Sequence, residues 1–381
     1  MRFIPDRLRI GRRRRSPLLV GFVAAASSLL LLAVGAPGAS AVTLGPVSLP
    51  GDEAPHRDAS MEWWYFTGHL QGKDIFGKSH EYGFEMTMIR MDALGTEPVT
   101  AIWNGHLAIS DITRQTLKQD EATYALLPDV VPAGGGFNNT VGLYHMDGKN
   151  GVNHLSGGFA DLSYAGINLT LRQTQPAALH GNAGVIPYGP FGQSGYYSQT
   201  NLKASGTLLD HGVPVNVTGT AWQDHQWGDF TAGPGGWEWF SIQLDDNTQY
   251  MLYFIHNANN QLVETVGTRV NADGTTTNLA PGTISSTPLG SWTSPHTGIT
   301  YQQKWSINVP GGSLTITPQL ADQELYNPLV PQGSYWEGTS TVTGTINGAN
   351  ITGKAYAELT PSITLPTRGS VWQGILDALN L

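Results

Sequence analysis

An all-β protein built from two consecutive antiparallel domains is predicted by three features of this 381-residue chain. Long 3.6-residue apolar patterns are nearly absent, short alternating segments are separated by turns rich in Gly, Asn and Asp, and two strand-length patterns occur twice. In the first repeat the segment VTGTAWQD from Val217 matches ITGKAYAE from Ile351, pairing Gly219 with Gly353, Ala221 with Ala355, Trp222 with Tyr356 and Asp224 with Glu358. The copies then diverge, so that His225 faces Leu359 and Trp227 faces Pro361. In the second repeat Trp63, Tyr65, Thr67, His69 and Leu70 correspond in period-2 register to Trp237, Trp239, Ser241, Gln243 and Leu244. Gly105 and Leu117 have the same separation as Gly267 and Leu279, which extends the match into the next hairpin.

The chain opens with an export signal. Arg12 to Arg15 precede an uncharged apolar run from Leu18 to Ala36, and Ala39, Ser40 and Ala41 supply an A-x-A cleavage pattern. Cleavage after Ala41 gives a secreted or extracytoplasmic protein with no remaining membrane span. The alternative is an uncleaved anchor, since the run approaches the ~20 residues that cross a bilayer. Arg14 and Arg15 suit a twin-arginine signal as well as a general one. With no Cys, neither a lipoprotein anchor nor a disulfide framework is possible, and stability must come from the cores.

The first 41 residues hold seven Arg and one Asp, which leaves 13 basic and 28 acidic residues and a formal charge of −15 on the rest. Such a surface repels phosphate backbones and anionic headgroups, so nucleic-acid binding and polybasic membrane docking are disfavoured. The expected partner is neutral or small.

The first domain is expected from 42 to about 232, with strands at Glu81 to Arg90 and Asn216 to Trp222. Its greater length comes from about 128–190, where clustered Gly and Pro read as inserted loops of the kind that cover binding sites. The second domain is expected over 233–366, with strands at Trp237 to Leu244, Tyr250 to Ile255 and Ser313 to Thr317. Over 367–381, Val371, Trp372, Ile375, Leu376 and Leu379 form the apolar stripe of a short helical tail.

Residues without a repeat counterpart mark the candidate site, which points to His225 and Trp227. Strand alternation places Gln223, His225, Trp227 and Asp229 on one face and Trp222, Asp224 and Gln226 on the other. Asp224, matched by Glu358, then reads as a buttress in both domains or as an acid. His225 reads as a site residue or as a satisfied buried histidine. On the opening strands Phe66, Gly68 and Leu70 alternate as core, while Tyr65, Thr67 and His69 face a groove between the domains or pack without function.

Several blocks together resemble a known family. Glu62 to Leu70, Tyr82 to Phe84 with Arg90, Tyr196 to Ser198, Asp224 to Gly228, Gly236 to Phe240 and Tyr335 to Gly338 look like the carotenoid 1,2-hydratase family, whose relatives are also called AttH-like. The resemblance covers nearly the whole chain after the signal and implies two lipocalin-like barrels. It also implies an apolar isoprenoid, polyene or lipid ligand, and hydration or a cyclase-type rearrangement that needs no cofactor. Hydrating an isolated alkene requires protonating carbon, so the site must supply a carboxylic acid kept neutral by burial and aromatic faces that stabilise a cation. Asp224 and His225 are the catalytic candidates, with Trp227, Glu62, Tyr65, His69, Trp237, Trp239 and Tyr253 against the ligand. In hydratase members an acidic residue acts from the strand after the Trp-x-Trp-Phe strand, whereas this chain has no carboxylate from Tyr250 to His256. That departure leaves open a non-catalytic carrier of a hydrophobic molecule.

Rival signals are weak. Gly72, Gly77, Lys78 and Ser79 match the phosphate-loop spacing, but an alternating strand follows where a helix is required, so a hairpin turn is expected. No metal is expected, because His56, His106, Asp111, His225 and Asp229 show no ligand spacing.

Overall fold

The computed structural model describes residues 44–92, 100–128, 130–161, 163–230, 235–327 and 333–361. The proposed signal and the helical tail lie outside them. The described residues form two antiparallel, barrel-like sheets with almost no helix, and no helix among them is long and apolar enough to cross a membrane.

The first sheet comprises β1 (Met61–Lys73), β2 (Ser79–Asp92), β3 (Thr100–Asp111), β4 (Thr116–Pro128), β5 (Phe137–Val141), β6 (Tyr144–Lys149), β7 (Val152–Gly158), β8 (Gly166–Gln173), β9 (Ala178–Leu179), β10 (Val185–Pro187), β11 (Gly192–Asp210) and β12 (Val213–Phe230). The second comprises β13 (Trp237–Leu244), β14 (Gln249–His256), β15 (Leu262–Val270), β16 (Thr276–Asn278), β17 (Ser285–Thr293), β18 (Thr300–Val309), β19 (Gly312–Pro318), β20 (Glu324–Leu325), β21 (Tyr335–Ile346) and β22 (Ala349–Thr360). Their main paths run β4-β3-β2-β1-β12-β11-β8-β7-β6-β5 and β16-β15-β14-β13-β22-β21-β19-β18-β17.

Pairing registers bear out the duplication. Trp63 lies opposite Gln226 and Leu70 opposite Gly219 in the β1/β12 pair, while Trp237 lies opposite Thr360 and Leu244 opposite Gly353 in β13/β22. The repeated glycine has a steric cause in both copies. A Cβ on Gly219 would sit 1.8 Å from the His69 carbonyl oxygen, and one on Gly353 would sit 2.4 Å from that of Gln243.

Two expectations are corrected. Gly267 lies opposite Leu252 and Leu252 opposite Phe240, whereas Leu107 lies opposite Met86 and Met86 opposite Phe66, so Gly267 corresponds to Leu107 rather than to Gly105. Equal spacing between single glycines carried no register information. The segment 128–190 is not an insertion of loops: it holds β5 to β10, with β5 to β8 extending the first sheet past β11 as β17 to β19 extend the second past β21. Its Gly and Pro occupy short hairpin turns and strand ends, which composition does not distinguish from a long loop.

Alternation along each strand divides the side chains between barrel interior and barrel junction. Phe66, Leu70, Phe84, Met86 and Met88 fill the first barrel, and Phe240, Ile242, Leu244, Leu252 and Phe254 the second. The opposite faces of the same strands meet as a third core containing Tyr65, Tyr196, Trp222, Trp239, Met251, Tyr253 and Tyr356. Each such side chain gains about 1.5–3 kcal/mol on full burial, so this core fastens the two barrels together. At Gly83 a Cβ would meet the Tyr356 hydroxyl at 2.5 Å and Thr339 at 2.9 Å, so the closest approach depends on a missing side chain. The phosphate-loop-like segment is the β1–β2 turn, where Asp74 Oδ1 accepts hydrogen bonds from the backbone N–H groups of Phe76 and Lys78.

Candidate functional site

The barrel junction holds a cavity lined mainly by apolar and aromatic side chains. Met61, Trp63 and Tyr65 from β1, Thr87 and Ile89 from β2, His106 from β3, Tyr196 from β11 and Asp224, Gln226 and Phe230 from β12 form one wall. Trp237, Trp239, Tyr253, Tyr335, Glu358 and Thr360 form the other. The pairing explains why these residues meet. In the first sheet Ser198, Asp224, Tyr65, Thr87 and His106 lie opposite one another in a single cross-strand row. In the second sheet the row is Glu337, Glu358, Trp239, Tyr253 and Val266. Hydrogen bonds join the rows: Tyr65 Oη donates to Glu337 Oε1 at 2.7 Å, and Trp239 Nε1 to Tyr196 Oη at 3.0 Å.

Duplication has therefore placed two acids, Asp224 and Glu358, on facing walls of one cavity. Asp224 is 3% exposed and accepts from Tyr196 Oη at 2.6 Å, from Trp222 Nε1 at 2.7 Å and from Ser198 Oγ. Burial pushes its carboxyl up to about 7 against these three stabilising hydrogen bonds. Glu358 is less enclosed and borders the cavity; burial first, then the charges of Glu85 and Asp224, raise it to about 8 although the Trp237 indole lies beside it. Behind them, burial and the neighbouring carboxyls hold Glu337 well above the usual range, and burial brings Glu85 to about 8. Among the described residues neither Glu85 oxygen has a partner of hydrogen-bond geometry, although the Thr87 hydroxyl lies close enough to lower the carboxyl slightly. At neutral pH Glu358, Glu337 and Glu85 are largely uncharged carboxylic acids in an aromatic enclosure, while Asp224 is close to its midpoint. Trp239 meets Tyr65 edge-on at 5.2 Å, and Trp237 meets Tyr253 at 5.9 Å. Carboxylic acids of this kind are chemically able to donate a proton, and the surrounding π-faces are able to stabilise a cation.

The structure brings Asp224, Tyr65, Trp237, Trp239 and Tyr253 to this cavity and separates His225, Trp227, Glu62 and His69 from it. His225 faces the other way, as alternation requires, and is fully buried. Its Nε2 contacts Glu62 Oε1 at 2.8 Å, its Nδ1 is 3.3 Å from Tyr197 Oη, and its ring stacks on Trp64 at 4.7 Å. His56 Nδ1 approaches the same Glu62 oxygen at 2.9 Å while its ring stacks on Trp227 at 3.8 Å. Burial opposes charge on His56, but hydrogen bonds to Asp52 and Glu62 raise it to about 9; burial raises Glu62, and the two histidines bring it below the ordinary carboxylate value. The result is an ion-paired plug between the β1/β12 pair and the segment preceding β1. Among the described residues these three are the group whose ligand atoms are close enough to hold a metal ion, all within 4.8 Å of one another. The separations of 2.8 and 2.9 Å are ordinary hydrogen-bond lengths and account for each side chain without an ion. His69 lies farther along the junction, where its Nδ1 pairs with Thr339 Oγ1 at 2.9 Å and burial lowers it to about 3.

Sequence reasoning did not single out Glu85 or Thr87, and it weighed His106 only as a metal ligand. The available signal was a Glu and a Thr alternating with Phe84, Met86 and Met88 along β2, polar residues on the second face of a strand whose first face is core.

Comparison with known proteins follows this geometry. The AttH-like family model matches residues 41–362. Kievitone hydratase from Fusarium solani subsp. phaseoli is 24% identical over 240 residues, covering 58% of this chain and 67% of that protein. A crystal structure described as an AttH from Nitrosomonas europaea superposes with a TM-score of 0.72 at 28% identity, covering 85% of this chain and 99% of its own. The crystal structure of kievitone hydratase from Nectria haematococca superposes with a TM-score of 0.65 at 18% identity, covering 84% and 94%, and so shares the fold. This two-barrel chain belongs to the AttH-like family.

Proposed function

We propose that this protein is a cofactor-independent hydratase that adds water across an isoprenoid-type alkene held between the barrels. The observation that carries the reading is the facing pair Asp224 and Glu358, the first buried and the second half-buried, each with a raised pKa in an aromatic cavity. Their hydrogen bonding assigns their roles. Glu358 borders the cavity and is held neutral, so it is the proton donor. Asp224 already accepts three hydrogen bonds, which favours the carboxylate, so it is the base.

The Glu358 proton adds to the less substituted alkene carbon, and the π-electrons form the new C–H bond, leaving a tertiary cation. Trp63, Trp237 and Trp239 stabilise that cation. A water oxygen then bonds to the cationic carbon and gives its proton to Asp224, and proton return from Asp224 to Glu358 resets the pair. Alkene plus water become a tertiary alcohol, with no change in the protein.

The kievitone hydratase relationship supports a hydratase reading, and the isoprenoid assignment rests on the cavity's apolar, aromatic lining. Export is inferred from the N-terminal signal pattern. The test is incubation of the purified protein with acyclic and prenyl-bearing alkenes in H₂¹⁸O. One atom of ¹⁸O in a tertiary alcohol supports the reading. Saturable binding without product would instead make the protein a carrier.

A further inference from the structure

The wall that carries Asp224 also holds, on its β3 strand, a hydrogen-bond donor with nothing to donate to among the described residues. His106 is 4% exposed, and its Nδ1 lies 2.5 Å from Tyr335 Oη. Burial lowers the imidazole to about 4 and holds the Tyr335 phenol well above its ordinary value, so near pH 7 the ring is neutral and the phenol keeps its proton. The phenol therefore donates to Nδ1, which assigns the imidazole proton to Nε2. Among the described residues His106 Nε2 has no partner, although it is buried. Thr87, its cross-strand neighbour, also lines the cavity, and its hydroxyl has no partner of hydrogen-bond geometry among the described residues, although it lies close enough to Glu85 to lower that carboxyl slightly. Two buried polar atoms left unpaired on one stretch of a cavity wall are costly unless a bound molecule pairs with them.

We propose that the ligand is an oxygenated isoprenoid rather than a hydrocarbon, and that its carbonyl or hydroxyl oxygen accepts a hydrogen bond from His106 Nε2 beside Thr87. This rests on the proposed use of the cavity and names the substrate class for it. The register sets the spacing. Asp224, Tyr65, Thr87 and His106 are successive members of one cross-strand row, so three strand spacings of about 4.8 Å separate the two ends, at most roughly 14 Å along a curved sheet. The oxygen then anchors one end of the ligand while its distal alkene reaches the Asp224 and Glu358 pair. A hydrocarbon entering the same cavity leaves His106 and Thr87 unpaired, which is how a site discriminates against an analogue lacking a hydroxyl.

The probes are geranylgeraniol, farnesylacetone and the C20 hydrocarbon in which the geranylgeraniol hydroxyl is replaced by hydrogen, each titrated by quenching of tryptophan fluorescence. The unmodified protein is expected to bind at least one oxygenated probe about tenfold or more tighter than the hydrocarbon. His106→Leu should abolish that preference by weakening the oxygenated probe alone. Should His106→Leu fail to fold because Tyr335 loses its acceptor, Thr87→Val serves the same purpose and should narrow the preference. Equal affinities in the unmodified protein, or a preference untouched in the folded variant, overturn the proposal. If the hydrocarbon is hydrated as readily as the oxygenated probes, this inference fails and the hydratase reading stands. If no probe binds or reacts, both fail.

Discussion

Stability should fall as pH rises from about 6.5 to 8, opposite to the behaviour expected of a surface dominated by ordinary carboxylates. Asp224, Glu85 and Glu358 rise from 3.8, 4.5 and 4.5 when unfolded to about 7, 8 and 8 when folded, so between those values the folded state holds protons that the unfolded chain has lost. Their stabilisation is complete below the unfolded pKa and is lost as pH climbs to the folded one. Three buried histidines act in the other direction. His69, His106 and His180 fall from 6.5 to about 3, 4 and 3, so they favour folding fully above 6.5 and progressively less below it. From about 4.5 to 6.5 the two sets nearly cancel, which predicts a plateau. Above 6.5 the histidines fall silent, and each acid contributes a slope of up to about 1.4 kcal/mol per pH unit. His56, raised to about 9, adds a slope of the same sign. Relaxation and water entry will reduce the sum to a few kcal/mol across this window. Equilibrium urea unfolding at half-unit steps from pH 5 to 9 measures the slope, and Glu85→Gln should make the decline above 6.5 shallower. Stability that is flat or rising between 6.5 and 8 would refute the assignment of neutral acids to the junction.

Other substitutions separate the site from its supports. His225→Ala leaves Glu62 buried with one partner fewer and should cost about 3–5 kcal/mol in urea unfolding, with ligand titration of the surviving folded fraction unchanged; lost turnover at unchanged stability would return His225 to catalysis. Gly219→Ala and Gly353→Ala should each destabilise by about 1–3 kcal/mol in thermal melts, because the same backbone approach is blocked in each barrel. Gly83→Val intrudes on Tyr356 and Thr339, so it should weaken ligand affinity through the junction while each barrel's core, read by hydrogen exchange, stays protected.

The fold was legible because barrel construction repeats itself in sequence. Period-2 alternation on the opening strands assigned Phe66 and Leu70 to the interior, and the matches of Trp63 with Trp237 and Gly219 with Gly353 are the registers observed. Alternation also separated Asp224 from His225 correctly. What it could not show was which strand face meets the other barrel. Looking for unmatched residues led to His225 and Trp227, which close the first barrel, whereas the cavity is built from the matched pair Asp224 and Glu358, because two repeats meeting face to face bring equivalent positions together. The place of Glu85 and His106 at the junction was not legible for a related reason. Their environment is made by the other barrel, in Glu337 and Tyr335, more than 200 residues along the chain.

The most direct test follows turnover of a hydrated substrate in D₂O by mass spectrometry, comparing the unmodified protein with Glu358→Gln and Asp224→Asn. The parent should form alcohol carrying one carbon-bound deuterium. Glu358→Gln should form no alcohol and exchange no deuterium into recovered alkene. Asp224→Asn should form little alcohol yet still exchange deuterium, because carbon protonation survives without the base that activates water. Wild-type turnover in Glu358→Gln would contradict the assignment of the junction cavity as the place where carbon is protonated.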